Sequence, residues 1–212
     1  MVRDEYGNYS SANEVKITVK ASGVSLVYSD LAESELQSHA ISMTEKGLMN
    51  GLQIGENYYF QPEREVTRAE FLITAMNAIG IKNVPAQSTT VFADDSDISS
   101  EMKGYIALAH SMGYISGKTV EGKTYFMPDE VINVSEAAVI VSNMIGYAQP
   151  KVTPVFADAD KIPAWSGKAI ESLHTLGILE LPEMISGANE KMTRGAMAKM
   201  LNKTIFVISE HK

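Results

Sequence analysis

The tetrapeptide Val-Phe-Ala-Asp stands at residues 91–94 and again at residues 155–158, which lie 64 positions later. A related tetrapeptide, Val-Tyr-Ser-Asp, stands 64 positions earlier, at residues 27–30. Self-similarity at a fixed period is the sequence signature of a repeat architecture. The sequence therefore predicts three copies of one unit.

Each tetrapeptide is followed by a stretch of helical character that ends in a glycine, at Gly47, Gly113 and Gly177. Glycine adopts the left-handed conformation that commonly ends a helix, and this predicts a structural role. Close approach of the backbone to a sugar is a second explanation, so all three glycines are also candidate ligand-binding residues.

A second helix start follows in every copy. In the first two copies it comes after Phe-Xaa-Pro, at 60–62 and 126–128, and the helices are predicted to begin near Thr67 and Asn133. The third copy lacks Phe-Xaa-Pro and has a shorter loop, but a helix start remains at Thr193. Each copy is therefore predicted to be helix, loop, helix.

Apolar residues recur at helical spacing within the copies, for example Phe71, Ala75, Met76 and Ile79. One such unit cannot cover its own apolar faces, so the three copies are predicted to share a core. The aromatic residues of the motifs are assigned to this core: Tyr28, Phe60, Phe92, Phe126 and Phe156.

The N-terminus has a different character. Residues 13–20 alternate apolar and polar side chains, which is typical of a strand, and residues 4–8 have turn chemistry. We interpret residues 1–22 as the remnant of a preceding immunoglobulin-like β-domain with a linker. The predicted repeats span 23–90, 91–154 and 155–212, and the predicted fold class is mainly α with a short N-terminal β segment.

The composition disfavours several classes of function. The 212 residues carry a net charge of -8 without a dense basic run, so nucleic acid is not an expected partner. No apolar stretch approaches the roughly 20 residues of a spanning helix, so membrane insertion is not expected. Cysteine is absent, and no catalytic or metal-binding motif was found. We therefore expect neither an enzyme nor a metal or cofactor.

The motifs resemble those of S-layer homology repeats. The third copy carries the front half of that pattern, including Phe156, Asp158 and Trp165, and the first copy carries the back half, Val-Thr-Arg-Ala-Glu-Phe at residues 66–71. The resemblance covers residues 28 to about 206. It implies three helix-loop-helix repeats in a pseudo-threefold helical bundle, at one end of an exported protein.

The same resemblance implies a function. Similar domains anchor surface proteins non-covalently by binding secondary cell-wall polysaccharide linked to peptidoglycan, often pyruvylated, in grooves between lobes. The implied location is the cell wall or surface layer of the bacterium, with self-assembly through the parent protein.

The copies depart from the family pattern at several positions. The first two copies carry Glu35 and Glu101 where the third carries Trp165, and the second copy has Val134 where the others have arginine. The third copy has Ala196 in place of the motif glutamate. We therefore expect at most two competent grooves. The alternative function is a degenerate trio that serves as a structural or protein-interaction module without glycan binding.

Arg68 and Arg194 are the main candidate ligand residues. A cation in the first turn of a helix is mildly unfavourable, so helix stability does not explain them, and replacing both is expected to leave the fold intact. An arginine beside exposed helix-start amides can bind a carboxylate in bidentate fashion, and the resemblance implies such a ligand. The alternative is an ion pair with Asp30, Asp94 or Asp158.

The remaining candidates each have two interpretations. Asp30, Asp94 and Asp158 can cap a short turn or lie near the groove. Trp165 can stack on a sugar or belong to the core. Capping boxes are predicted where a helix-start Thr or Asn precedes a glutamate by three residues, at Thr67 with Glu70 and at Asn133 with Glu136.

Overall fold

The computed structural model describes the strand backbone of Val2–Arg3 and Tyr9–Ser10, and residues 26–146, 162–179 and 189–210. Within these residues the protein is mainly helical, with short strands. This agrees with the predicted fold class.

The chain divides into two compact units, Met1–Pro62 and Glu63–Lys212. This division falls inside the predicted first repeat, residues 23–90. The predicted repeat boundaries remain predictions.

The first unit contains one α-helix among the described residues, α1 (Leu36–Glu45). Two short antiparallel hairpins accompany it. Strands β1 (Val2–Arg3) and β2 (Tyr9–Ser10) flank residues 4–8, which were predicted to form a turn. Strands β3 (Leu52–Ile54) and β4 (Asn57–Tyr59) follow α1. The strand predicted over residues 13–20 lies outside the described residues.

Among its described residues, the second unit contains five α-helices and one further hairpin. Its elements, in chain order, are α2 (Arg68–Ala78), α3 (Ser100–Ser111), β5 (Lys118–Val120), β6 (Lys123–Tyr125), α4 (Val134–Ile145), α5 (Gly167–Thr175) and α6 (Arg194–Glu210).

Hairpins occupy the segment that was predicted to be a loop in the first two copies. Strands β3 and β4 pair through a two-residue turn, and β5 and β6 pair in the same register. In the second turn Glu121 and Gly122 both have positive φ angles, 49° and 76°. This conformation is typical of the tight hairpin turns that match the twist of the flanking strands. The Glu-Gly dipeptide was a usable signal for this hairpin.

The structural role predicted for the three helix-ending glycines is confirmed. Gly47, Gly113 and Gly177 have φ angles of 66°, 74° and 68°. At each one the glycine N–H donates to the carbonyl three residues earlier, and the next N–H donates to the carbonyl five residues earlier. These two bonds satisfy carbonyls that the end of a helix otherwise leaves without a partner. The local sequence alone therefore ends these helices.

The predicted core residues are buried. Tyr28, Phe60 and Phe126 are fully buried, and Phe92 is nearly so. Phe156 lies outside the described residues. Along α2 the side chains of Phe71, Ala75 and Met76 are fully buried, as their helical spacing predicted. Ile79, which caps the end of α2, is half-buried.

Three extended segments that precede α2, α4 and α6 form a closed ring of backbone hydrogen bonds. The Val66 N–H donates to the Met192 carbonyl at 3.0 Å, Met192 to Ile132 at 2.8 Å, and Ile132 to Val66 at 3.1 Å. All three side chains are fully buried. Because each segment runs directly into a helix, the ring brings three helix N-termini together.

Each of these helices has a side-chain cap, which was predicted at Thr67 and Asn133 but not at Thr193. Thr67, Asn133 and Thr193 accept a bond from the amide three residues later, at 3.2, 2.8 and 3.3 Å. At Asn133 the box is complete, because the Glu136 carboxylate accepts the Asn133 N–H at 3.1 Å. The complete box predicted at Thr67 is wrong, since the Glu70 carboxylate binds Arg64 instead.

Candidate functional site

A cavity of about 500 Å³ lies within the second unit. Its wall includes Arg68 at the start of α2, Glu136 and Asn143 on α4, Trp165 ahead of α5, and residues 113–118 between α3 and β5. We call this cavity the Trp165 groove. It brings together three of the predicted ligand residues, Arg68, Gly113 and Trp165, which belong to three different predicted repeats.

The Arg68 side chain is nearly enclosed, with 6% of the residue exposed. Its Nε donates to the Phe126 carbonyl at 2.9 Å, and its Nη1 lies 3.4 Å from Oε1 of Glu136. The guanidinium carbon is also 5.5 Å from the centre of the Phe126 ring. Arg68 therefore forms an ion pair, as the alternative interpretation predicted. The carboxylate, however, belongs to Glu136 and not to one of the predicted aspartates.

Lys118 is a second cation of the Trp165 groove, and the sequence analysis missed it. Its Nζ lies 2.9 Å from Oε1 of Glu136 and 2.6 Å from Oε2 of Glu130. Burial lowers the pKa of the Lys118 ammonium, but the hydrogen bonds to Glu130 and Glu136 outweigh burial and raise the pKa above its ordinary value. The repeat gave no signal for this lysine, because the equivalent position in the first copy is Leu52.

Two cations, Arg68 and Lys118, line the Trp165 groove together with one carboxylate, Glu136. A second carboxylate, Glu130, contacts Lys118 from outside the lining, so the four charges balance (+2 and -2). Because the whole chain carries -8, the two cations are the feature of this groove that would attract an anionic ligand.

Trp165 is 59% exposed, so the alternative that placed it in the core is wrong. It lines the same groove as the two cations. An exposed indole ring beside cationic side chains can contact the apolar face of a ligand whose acid group binds the cations. The groove therefore has the two kinds of contact that an acidic sugar would need.

Gly117 shapes the wall of the groove, and the sequence analysis did not single it out. Its φ is +79°, and a Cβ at this position would lie 2.6 Å from the Phe92 ring and 2.7 Å from the Tyr125 carbonyl oxygen. The equivalent Gly51 follows its helix-ending glycine by the same four residues, and a Cβ there would lie 2.3 Å from the Tyr28 ring. This repetition was a signal that could have identified both glycines.

Arg194 occupies an equivalent position in a second ion pair. It is 8% exposed, and its Nη1 lies 3.6 Å from Oε1 of Glu70, which also contacts Arg64. Arg194 does not line the Trp165 groove. Of the two predicted arginines, only Arg68 therefore belongs to this site.

The two ion pairs follow one rule. In each, the arginine at the first helical position of one motif meets the glutamate at the third position of another motif: Arg68 with Glu136, and Arg194 with Glu70. By the same rule a third pair would join positions 134 and 196. The chain has Val134 and Ala196 there, so both partners of that pair are missing together.

Asp30 and Asp94 do not cap the short helical turns at residues 29–31 and 95–97. Each carboxylate instead accepts two consecutive backbone N–H groups from the Phe-Xaa-Pro segment of its own copy. The distances are 2.8 and 2.7 Å for Asp30, and 2.9 and 2.6 Å for Asp94. In both copies the Xaa residue, Gln61 or Met127, has a left-handed φ of 59°. The aspartate therefore holds an unfavourable backbone conformation in place.

Replacing Asp94 by asparagine should lower the free energy of unfolding by about 2 kcal/mol, because the amide can accept only one of the two N–H bonds. The measurement is urea unfolding followed by circular dichroism. Asp97→Asn is the matched control, since Asp97 is exposed and its carboxylate accepts only from the neighbouring Ser96 hydroxyl. Equal stability of the two variants would contradict the role assigned to Asp94.

The adjacent carboxylates Asp94 and Asp95 have separate partners. Asp95 accepts from Lys103 at 2.8 Å and from the Thr90 amide at 2.5 Å. The Lys103 ammonium and then the Thr90 amide hold the pKa of Asp95 below its ordinary value. Asp94 lines a different cavity, of about 370 Å³, whose other acidic residues are Asp97, Asp129 and Glu130.

The other predicted ligand residues are not brought to the Trp165 groove. Asp30 and Gly47 belong to the first unit. Gly177 ends α5 and is absent from the groove lining. Asp158 lies outside the described residues. Over the described part of the chain, no group of three metal-ligating side chains was found, and no helix is long and apolar enough to cross a membrane.

Residues 155–198 match the S-layer homology domain family. The matched segment contains Trp165 and Arg194, and it is this segment that resembles the family. Domains of this family are generally cell-wall anchoring modules and not catalysts. The match covers less than half of the chain. No curated protein matches the chain.

Proposed function

We propose that residues 23–90, 91–154 and 155–212 are three tandem S-layer homology repeats arranged around a pseudo-threefold axis. Two observations support this. The hairpins β3–β4 and β5–β6 share one register, and Asp30 and Asp94 make the same pair of bonds in their copies. The ring that joins Val66, Ile132 and Met192 supplies the contacts expected around such an axis.

We propose that the chain anchors an exported protein to the cell wall by binding an acidic secondary cell-wall polysaccharide in the Trp165 groove. The observation that carries this proposal is the meeting of an exposed tryptophan with two cations in one cavity of about 500 Å³. Pockets of this size hold small ligands. A saccharide with a carboxylate would place its acid on the cations and an apolar face on Trp165.

The ion pairs support an upper limit on the number of binding grooves. The motif arginine is present in the Arg68–Glu136 and Arg194–Glu70 pairs, and it is replaced at Val134. We propose that at most two grooves bind ligand, and that the groove formed around position 134 does not. Stronger attachment would then come from several copies of the parent protein assembled on the wall.

Replacing Trp165 by alanine should weaken wall binding by about tenfold, because stacking on the indole ring would be lost, at about 1.4 kcal/mol. Trp165 is 59% exposed, so the melting temperature should change little. Binding is measured by co-sedimentation with purified cell-wall sacculi. Phe206→Ala is the matched control, since Phe206 is 64% exposed and does not line the groove. Unchanged binding of Trp165→Ala would contradict the proposed site.

The whole proposal is tested with the same sacculi before and after acid removal of ketal pyruvate and wall polysaccharide. Binding to intact sacculi that disappears with the polymer is the expected result. Absence of binding to walls of the source organism would overturn the anchoring function.

The alternative is a structural or protein-interaction module without glycan binding. The specific observation in its favour is that both motif arginines are more than nine-tenths buried and engaged with glutamates. The two functions differ in the sacculi experiment, because only the anchor sediments with the wall.

A further inference from the structure

We infer that Lys118, and not Arg68, makes the direct ionic contact with a carboxylate of the ligand in the Trp165 groove. This inference rests on the function proposed above. It assigns the binding of the ligand's negative charge to a residue of strand β5 that lies outside the Thr-Arg-Ala-Glu motif. Arg68 is then a positioning residue, which holds Glu136 and the groove wall.

The two cations differ in accessibility. The Arg68 side chain is 7% exposed, whereas the Lys118 side chain is 33% exposed. Both line the same cavity. An incoming carboxylate therefore meets the ammonium of Lys118 before it can reach a guanidinium that the protein covers almost completely.

The two cations also differ in what holds them. The guanidinium of Arg68 lies between the Phe126 carbonyl, the Phe126 ring and Glu136. Moving it would leave a buried carbonyl oxygen without its donor, which costs free energy. Lys118 is joined to its surroundings only by Glu130 and Glu136, and its third N–H donor has no partner among the described residues. A lysine head on a flexible stem can turn toward a ligand without breaking buried bonds.

The Glu136 carboxylate can lose Lys118 without becoming an uncompensated charge. It keeps Arg68 at 3.4 Å and the amide of Asn133 at 3.1 Å. The Glu130 side chain is 45% exposed, so its carboxylate can turn into water when a ligand carboxylate takes its place at Lys118. Arg68 and Lys118 then face Glu136 and the ligand, and these four charges balance.

The experiment compares Lys118→Gln with Lys123→Gln, in which an exposed lysine of the same hairpin is replaced. Each variant is titrated with polysaccharide released from the wall, and with the same polysaccharide after chemical reduction of its carboxylates to alcohols. Lys118→Gln should lose about tenfold in affinity for the native polysaccharide, since a charge-assisted hydrogen bond is removed. It should bind the reduced polysaccharide as the unmodified protein does.

Three outcomes would overturn the inference while the unmodified protein still binds the wall. They are full affinity of Lys118→Gln for native polysaccharide, an equal loss in Lys123→Gln, and an equal loss on the reduced polysaccharide. The last would mean that Lys118 acts only on the shape of the groove. If the unmodified protein does not bind sacculi, the proposed function itself is wrong, and this result differs from all three outcomes above. Unchanged circular dichroism of both variants confirms that they fold.

Discussion

Replacing Arg68 by alanine should lower the free energy of unfolding by about 3 kcal/mol. Removing one partner of a buried ion pair typically costs 3–5 kcal/mol, and the lower end applies because Lys118 still compensates Glu136. The Phe126 carbonyl would also lose the Nε donor at 2.9 Å. This reverses the expectation from sequence, in which loss of the motif arginine leaves the fold intact.

The measurement is urea unfolding of Arg68→Ala beside Arg64→Ala. Arg64 lies four residues away on the same segment and contacts Glu70, but its side chain is 44% exposed. An exposed pair contributes between 0 and about 1 kcal/mol, so the control should be nearly as stable as the unmodified protein. If both variants unfold at the same urea concentration, the buried network around Arg68 does not stabilise the fold as described.

This expectation changes how binding experiments on Arg68 must be interpreted. A loss of wall binding in Arg68→Ala could follow from a disturbed groove wall, since Phe126 and Glu136 lose their shared contact. Trp165 and Lys118 are better probes, because their side chains are more exposed. Binding data on these two residues separate recognition from stability.

Replacing Gly117 by alanine should also destabilise the second unit by about 3 kcal/mol. A residue with a Cβ pays about 1–2 kcal/mol for the left-handed conformation, here at φ +79°. The added methyl group would also lie 2.7 Å from the Tyr125 carbonyl oxygen and 2.6 Å from the Phe92 ring. Overpacking of this kind costs about 1–3 kcal/mol more.

Gly122→Ala separates these two causes. Gly122 lies in the turn of the same hairpin with φ +76°, but a Cβ there meets nothing within 4 Å. Gly122→Ala should therefore lower the free energy of unfolding only by the conformational cost, about 1 kcal/mol. Thermal unfolding of both variants measures the difference. If Gly122→Ala is destabilised as strongly as Gly117→Ala, close packing against Phe92 and Tyr125 is not the reason for glycine at position 117.

Local features of the chain were predictable because their causes lie within a few residues. The caps at Thr67, Asn133 and Thr193, and the helix ends at Gly47, Gly113 and Gly177, each depend on bonds that span three to five residues. The buried face of α2 followed from helical spacing in the same way. The hairpins were not predicted, although the Glu-Gly turn at residues 121–122 is a local signal for one of them.

Contacts between distant residues were not predictable from one sequence. Asp94 binds amides at positions 126 and 127, and Arg68 pairs with Glu136, so these bonds span 32, 33 and 68 residues. Many carboxylates compete for such roles along an acidic chain, and no local pattern selects among them. The amide partners of Asp30 and Asp94 and the glutamate partners of the arginines were therefore not predicted.

By itself the sequence determined the repeated motifs, the positions at which the helices begin and end, and the aromatic core, because each depends on local bonding or on the burial of apolar side chains. Only the tertiary structure decided that Trp165 is exposed, that Arg68 is enclosed, and that Lys118 lines the same groove as both of them. The physical reason is that accessibility and charge pairing depend on which distant segments the closed backbone ring brings together.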